Sequence, residues 1–322
     1  MGVGIKRATA KFHELHGRNF LTLADYTEEQ INSLLDLAEN LKYERRKGIP
    51  HHYLEGKILG MIFDKASTRT RVSFEAGIYQ LGGSGIFLSS NDIQIGRGES
   101  ITDTAQVLSS YVDGIMIRTY SQSTIELLAE KASIPVINGL TDLYHPCQVL
   151  ADFQTIKELK GQLNGVKIAY IGDGNNMAHS LLIGAATMGM RLSIASPKNY
   201  QPDADVVINA KRIGSESGAV LEISDCPEDA VQQADVIYTD VWASMGQEEE
   251  QQKREIAFTG YQVNRSLLSL AKSDVIFMHC LPAHRGEEVS ADVIDGVHSV
   301  VFQQAENRLH AQKALMVALL GK

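Results

Sequence analysis

The sequence predicts an α/β protein of two domains, each a mostly parallel sheet flanked by helices, and three observations carry that prediction. Short β-branched runs alternate with apolar residues at helical spacing along nearly the whole chain, as strands joined by crossover helices do. The alternation pauses once, where a long helical pattern over 146–160 leads into a turn-like stretch, 161–165, that begins and ends in glycine. The length of 322 residues suits two domains better than one, and 44% hydrophobic with 21% charged content is enough to fill a core in each. The boundary is therefore expected near residue 150, giving domains of 1–150 and 151–322.

The first element is a helix. Thr27 and Gln30 have the spacing of a capping box, and Ile31, Leu34, Leu35, Leu37, Ala38 and Leu41 share one face before the pattern ends near Gly48. Buried strands are expected at 57–64, 85–88, 114–118 and 134–137, with helices at 68–81, 102–111 and 124–132 between them. A second series of strands is expected at 166–171, 191–195, 220–223, 236–239, 275–278 and 300–302. The last stretch, about 306–322, reads as a helix that is apolar along one face and packs back on the first domain. The charged run 247–254 reads as a solvated helix or loop.

Composition narrows the function classes. Basic residues number 30 against 39 acidic, a net charge of -9, which argues against nucleic acid as a partner and requires any phosphate site to be a local basic pocket. The cysteines, Cys147, Cys226 and Cys280, are odd in number, widely spaced and without a C-x-x-C pattern, so neither a disulfide framework nor a structural zinc site is expected. A cytoplasmic protein is expected, since 1–18 carries charges throughout and no segment approaches the roughly 20 apolar residues of a membrane span.

Chemistry is concentrated at predicted strand ends. Ser67, Thr68, Arg69, Thr70 and Arg71 follow the apolar run 59–63 and open a helix, where hydroxyls, free N–H groups and a guanidinium can converge on one phosphate. An ordinary helix cap with a basic face is the alternative reading of those five residues alone. Further clusters are Arg118; His145, Pro146, Cys147 and Gln148; and His279, Cys280, Leu281 and Pro282. His145 and Gln148 lie three apart at a helix start, so both can face one ligand, whereas Cys147 reads as core. The stretch Gly172, Asp173, Gly174, Asn175, Asn176 mimics a dinucleotide fingerprint, but Met177 stands where the third glycine belongs, which disfavours a nicotinamide site.

Taken in order with Asp240, Val241, Trp242, Ala243, Ser244, Met245 and Gly246, these clusters resemble the carbamoyltransferase family, and within it the ornithine-using branch, from about Leu21 to the C-terminus. The resemblance implies an active site in the cleft between the domains, carbamoyl phosphate and L-ornithine as ligands, and neither metal nor organic cofactor. It implies that Ser67, Thr68, Arg69 and Thr70 hold the phosphate. It further implies that Arg118 bridges phosphate and carbonyl oxygen, that His145 donates to that oxygen and that Gln148 holds the carbamoyl amide. Leu281 and Arg308 join them on carbamoyl phosphate, as does Cys280, which also lies beside the attacking δ-amine; Arg118, His145 and Cys280 form the catalytic set. Asp240 is assigned to the substrate α-amino group, and Asn176, Ser244 and Met245 to ornithine. Gln94, in the loop 91–98, is expected to reach into a neighbouring subunit, so a homotrimer or a multiple of trimers is implied. Two rivals remain: transfer to another acceptor such as putrescine, which the 240–246 sequence disfavours, and a catalytically silent binding protein, which ought to have lost one of Arg69, Arg118, His145 or Cys280.

Overall fold

The computed structural model describes residues 14–89, 98–243 and 250–321; Gln94, Ser244 and Met245 lie outside the described residues. The chain divides into two compact units, one formed by Met1–Gln154 with Asn307–Lys322, the other by Thr155–Glu306.

In the first unit the expected capping box is present: Thr27 Oγ1 accepts from Gln30 N–H and Gln30 Oε1 accepts from Thr27 N–H, both at 3.2 Å, opening α1 (Glu28–Arg46). There follow β1 (Ile58–Phe63), α2 (Thr68–Gln80), β2 (Ser84–Ser89), α3 (Ile101–Tyr111), β3 (Gly114–Arg118), α4 (Gln122–Lys131), β4 (Val136–Leu140) and α5 (Pro146–Lys160). All four strands are parallel, in the order β2-β1-β3-β4. The inner strands β1 and β3 are buried almost throughout, which is why they read as unbroken apolar runs rather than alternations. Ile62, Ile115, Ile117, Ile125 and Leu128 form a core between the sheet and its helices. The chain runs outward from β1 to β2, then returns to lay β3 on the other side of β1. That reversal makes a crevice outside the strand ends at β1 and β3, where doubly wound sheets bind ligands. Phe63 is in register with Arg118, so Arg118 stands level with the end of β1, four residues before Ser67.

The second unit repeats the plan with β5 (Lys167–Ile171), α6 (Asn176–Thr187), β6 (Arg191–Ala195), α7 (Ala204–Ser217), β7 (Val220–Ser224), α8 (Pro227–Val231), β8 (Val236–Thr239), α9 (Gln251–Ala257), α10 (Arg265–Leu268), β9 (Ile276–His279), α11 (Ala291–Ile294) and the start of α12 (Val301–Leu320). Its parallel sheet has the order β7-β6-β5-β8-β9, so the reversal falls between β5 and β8. Ile171, Thr239 and His279 share one register across β5, β8 and β9. Phe258, Phe277, Val263, Val289 and Ile294 are among the residues that fill the core on this sheet.

Three expected strands are corrected. The one expected to be buried at 85–88 forms as β2 but is exposed to half-buried, since it is an edge strand of its sheet. Residues 300–302 form no strand: Ser299 makes a single bridge to Phe277, Val300 N–H bonds Phe277 carbonyl at 3.0 Å, and the chain turns at once into α12, burying Val301 in the core. Their β-branched character reflects burial rather than extension. The strand expected at 134–137 begins instead at Val136, because Pro135 has no N–H for a ladder and contributes only its carbonyl, to Ile115 N–H at 2.9 Å.

Candidate active site

In the first unit, Ser67 caps α2, its Oγ accepting from Thr70 N–H at 3.2 Å and donating to Thr70 Oγ1 at 3.1 Å. The first turn of α2, with the positive end of the helix dipole, follows directly on the end of β1. Arg308, on the stretch of α12 that belongs to this unit, donates from Nη2 to Thr70 Oγ1 at 2.8 Å and from Nη1 to Gln148 Oε1 at 2.7 Å. Gln148 in turn donates to Asp152 Oδ1 at 2.9 Å. One guanidinium thus ties the start of α2 to the start of α5. Thr70, Arg118, His145, Gln148 and Arg308 are all buried, Thr68 is exposed, and Ser67 and Arg69 are half-buried.

His145 reports the electrostatics of this cluster. Burial, and after it the charges of Arg308, Arg118 and Arg69, hold its imidazole well below the ordinary histidine range. Three guanidiniums therefore act on one neutral ring, a concentration of positive charge that an anion would relieve. The structure separates their neighbours from this role. Arg71 is exposed, pairs with Glu75 at 3.2 Å and lies 3.7 Å over the Phe87 ring, so it is a surface residue of α2. Cys147 is core, its Sγ donating to Asn138 carbonyl at 3.2 Å and burial pushing its thiol up to about 12.

In the second unit, the residues just past Ile171, Thr239 and His279 form a second cluster. Gly172 has φ +145, and a Cβ on Gly174 would stand 2.2 Å from Pro202 N, so only glycine permits the tight turn that ends β5. That turn delivers Asn175, which caps α6 through Oδ1 and donates from Nδ2 to Asp240 Oδ2 at 2.9 Å. Asp240 Oδ1 accepts from Val241 N–H at 2.8 Å and from Cys280 Sγ at 3.0 Å. Asn176 and Cys280 are half-buried and Asp240 is buried. A buried carboxylate beside a thiol is suited to a cationic or amine ligand. The predicted residues thus fall into two clusters: Ser67, Thr68, Arg69, Thr70, Arg118, His145, Gln148 and Arg308 in the first unit, and Asn176, Asp240, Cys280 and Leu281 in the second.

The chain matches two family models, "Aspartate/ornithine carbamoyltransferase, carbamoyl-P binding domain" over residues 18–158 and "Aspartate/ornithine carbamoyltransferase, Asp/Orn binding domain" over residues 164–319. The chain belongs to the aspartate/ornithine carbamoyltransferase family. Within that family it is 69% identical over 308 residues to an ornithine carbamoyltransferase of Oceanobacillus iheyensis, covering 96% of each chain. It is 60% identical to the enzyme of that name from Bacillus subtilis, over 96% of this chain and 95% of the other. The solved ornithine carbamoyltransferase of Pyrococcus furiosus superposes with a TM-score of 0.93 at 54% identity, covering 95% of this chain and 98% of that one.

Within this carbamoyltransferase, several neighbours of the candidate site residues are invisible in the sequence pattern. Asn175 stands in a glycine-rich turn whose letters give no hint that it orients Asp240. Arg254 belongs to the charge run expected to be solvated, and here the expectation is corrected: it is buried, with Nη1 bonded to Asp173 Oδ2 at 2.9 Å and to Trp242 carbonyl at 2.7 Å. A charge run that contains one buried arginine is indistinguishable by composition from one that contains none. Burial, against the counter-effect of Arg254, pushes the Asp173 carboxyl up to about 6. For metals, Asp240, His279 and Cys280 offer ligand atoms within 4.8 Å of one another, as do His284, Glu287 and Glu288. Both ring nitrogens of His279 are engaged, Nδ1 by Leu281 N–H at 2.8 Å and Nε2 by Glu288 Oε1 at 3.2 Å, so the first set lacks a free imidazole ligand.

Proposed function

We propose that this enzyme transfers the carbamoyl group of carbamoyl phosphate to the δ-amine of L-ornithine, giving L-citrulline and phosphate, in the cytoplasm and as part of arginine metabolism. The observation that carries the reading is the pairing of two unlike clusters, three guanidiniums around a neutral His145 in one unit and a carboxylate held beside a thiol in the other. The first unit binds carbamoyl phosphate. Ser67, Thr68, Arg69, Thr70 and the first turn of α2 take the phosphate, Arg118 spans phosphate and carbonyl oxygen, and Arg308, which also fixes Gln148, contributes a further charge. A neutral imidazole still has one N–H to give, so His145 can donate to the carbonyl oxygen where negative charge develops without adding a proton of its own.

The second unit binds ornithine, with Asp240 on the α-amino group, Asn176 beside it, and Cys280 at the δ-amine. Ser244 and Met245 complete the acceptor side. A primary alkylamine has a solution pKa of about 10.4, and only its neutral form attacks. The nitrogen lone pair forms the N–C bond to the carbonyl carbon, the C–O bond to phosphate breaks with its electrons leaving on phosphate, and the nitrogen gives up one proton, which the departing phosphate takes. No covalent enzyme intermediate is needed, because the carbonyl already carries a good leaving group.

The test is a carbamoyl-transfer assay with carbamoyl phosphate against ornithine, putrescine, aspartate and N-acetylornithine. Ornithine is expected to exceed the others in kcat/KM by a wide margin. A preference for putrescine, which has neither α-amino nor carboxylate group, would remove the role of Asp240. We further propose a homotrimer or a multiple of trimers, in which Gln94 reaches a neighbour's carbamoyl phosphate site. Reassembling Gln94→Ala with Arg118→Ala subunits is expected to restore some activity; none in verified mixed trimers would exclude the shared site.

A further inference from the structure

Glu288 is fully buried at 0% exposure, and its Oε1 accepts two hydrogen bonds, from His284 N–H at 2.6 Å and from the His279 ring at 3.2 Å. His279 and His284 flank the turn formed by Cys280, Leu281, Pro282 and Ala283, so one carboxylate spans both ends of it. His279 Nδ1 accepts from Leu281 N–H at 2.8 Å, which requires a lone pair there and assigns the ring proton to Nε2, the atom facing Glu288. Leu281 has φ +57, a left-handed conformation that a leucine seldom adopts and that surrounding contacts must hold. The His279 backbone is fixed too: its N–H bonds Gln304 Oε1 at 2.9 Å, and Gln304 Nε2 donates to Tyr238 Oη at 3.1 Å.

We propose that His279 and Glu288 are positioning residues for carbamoyl transfer: Glu288 orients the His279 ring, whose Nδ1 holds Leu281 in its left-handed turn and so sets the direction of the Cys280 thiol. The proposal rests on the reading that Cys280 and Leu281 meet the substrates. It makes a distinction that a merely structural brace does not. Asparagine at 279 presents its Oδ1 near the place of Nδ1 and can still accept Leu281 N–H. Glutamine reaches toward Glu288 in the manner of Nε2 but leaves Leu281 N–H without its acceptor.

The experiment compares His279→Asn with His279→Gln by steady-state kinetics with carbamoyl phosphate and ornithine, beside thermal melting. His279→Gln is expected to lose at least about tenfold more kcat than His279→Asn, with similar melting temperatures, because misplacing a reacting group by about 1 Å costs on the order of 10² in rate. Equal kcat losses, or losses that simply follow melting temperature, would overturn the proposal. Should a His279 variant fail to fold, Glu288→Gln, which keeps a carbonyl acceptor for both donors, is compared with Glu288→Ala, and a kcat difference no greater than about twofold would overturn it likewise. The underlying reading fails separately: a wild-type enzyme that makes no citrulline, or a Cys280→Ala variant with wild-type kinetics, removes the turn from the active site, and the brace proposal falls with it.

Discussion

The two units are built on the same plan and carry opposite charge logic. Each is a parallel sheet whose strand order reverses once, and each has candidate site residues at a strand end beside that reversal, Arg118 in the first and Asp240 in the second. In the first, burial and after it the charges of three guanidiniums exclude a histidine's charged form; in the second, a buried carboxylate is held by an amide, a backbone N–H and a thiol. The difference teaches that the fold supplies a location and the residues just past each strand decide the ligand's sign.

The contrast is broken most severely on the cationic side. Arg118→Ala is expected to lower kcat/KM by about 10³, since buried positive charge aimed at developing negative charge is the largest single contribution at such sites. Arg69→Ala is expected to abolish carbamoyl phosphate binding in calorimetry while the protein still melts cooperatively, because Arg69 is half-buried and serves no core. Wild-type affinity in folded Arg69→Ala would move the phosphate elsewhere.

A smaller and more selective loss is expected on the other side. Cys280→Ser should reduce ornithine turnover by roughly 10- to 100-fold and leave carbamoyl phosphate affinity near wild type. Equal losses toward both substrates would mean that the two clusters do not divide the labour as described.

Acid titration sharpens the comparison, because the two units respond with opposite sign. His145 stays neutral in the fold, whereas an unfolded histidine takes a proton near pH 6.5, so stability is lost as pH falls below about 6.5 at up to about 1.4 kcal/mol per unit. Asp173 is raised to about 6 from 3.8, so the folded state holds a proton that the unfolded state has released, and its contribution is lost as pH rises through that window. Denaturant titrations across pH 4 to 7 should show a flatter slope below about pH 6.5 in His145→Gln and removal of the opposing trend in Asp173→Asn. Unchanged slopes would contradict the burial that causes both shifts.

The smallest effects separate a built position from a surface one. Asn175→Ala removes a helix cap and a partner of Asp240 and is expected to cost about 1 kcal/mol, with a raised KM for ornithine. Arg71→Ala removes an exposed pair with Glu75 and is expected to stay within about 0.5 kcal/mol and to leave kinetics unchanged. Denaturant melts and initial rates read both.

Much of the fold is legible in the sequence because it is local. The capping box at Thr27, the Ser67 cap and helix 146–160 depend on residues within a turn of one another, and the structure has all three. The strand expected at 300–302 fails because two adjacent β-branched residues signal burial without saying which backbone buries them. Arg308 is identified only through the family resemblance, since nothing local to α12 announces that its guanidinium meets Thr70, 238 residues away in sequence. Asn175, Arg254 and Glu288 are hidden for the same reason: their partners lie on other strands and loops, and such pairings leave no periodic trace.

The common register of Ile171, Thr239 and His279 has a consequence for how this carbamoyltransferase can change. The sheet works as a ruler, and the cluster around Asp240 is read off one mark on it: Gly172, Asp240 and Cys280 each stand one residue beyond the same rung. A single-residue insertion or deletion inside β8 would turn every later side chain to the opposite face and withdraw Asp240 from both Asn175 and Cys280 at once. Loops that begin after the mark are under no such constraint. Under the proposed function, new acceptor preferences are therefore most accessible by rewriting the residues just beyond Asp240, with the strand lengths left untouched.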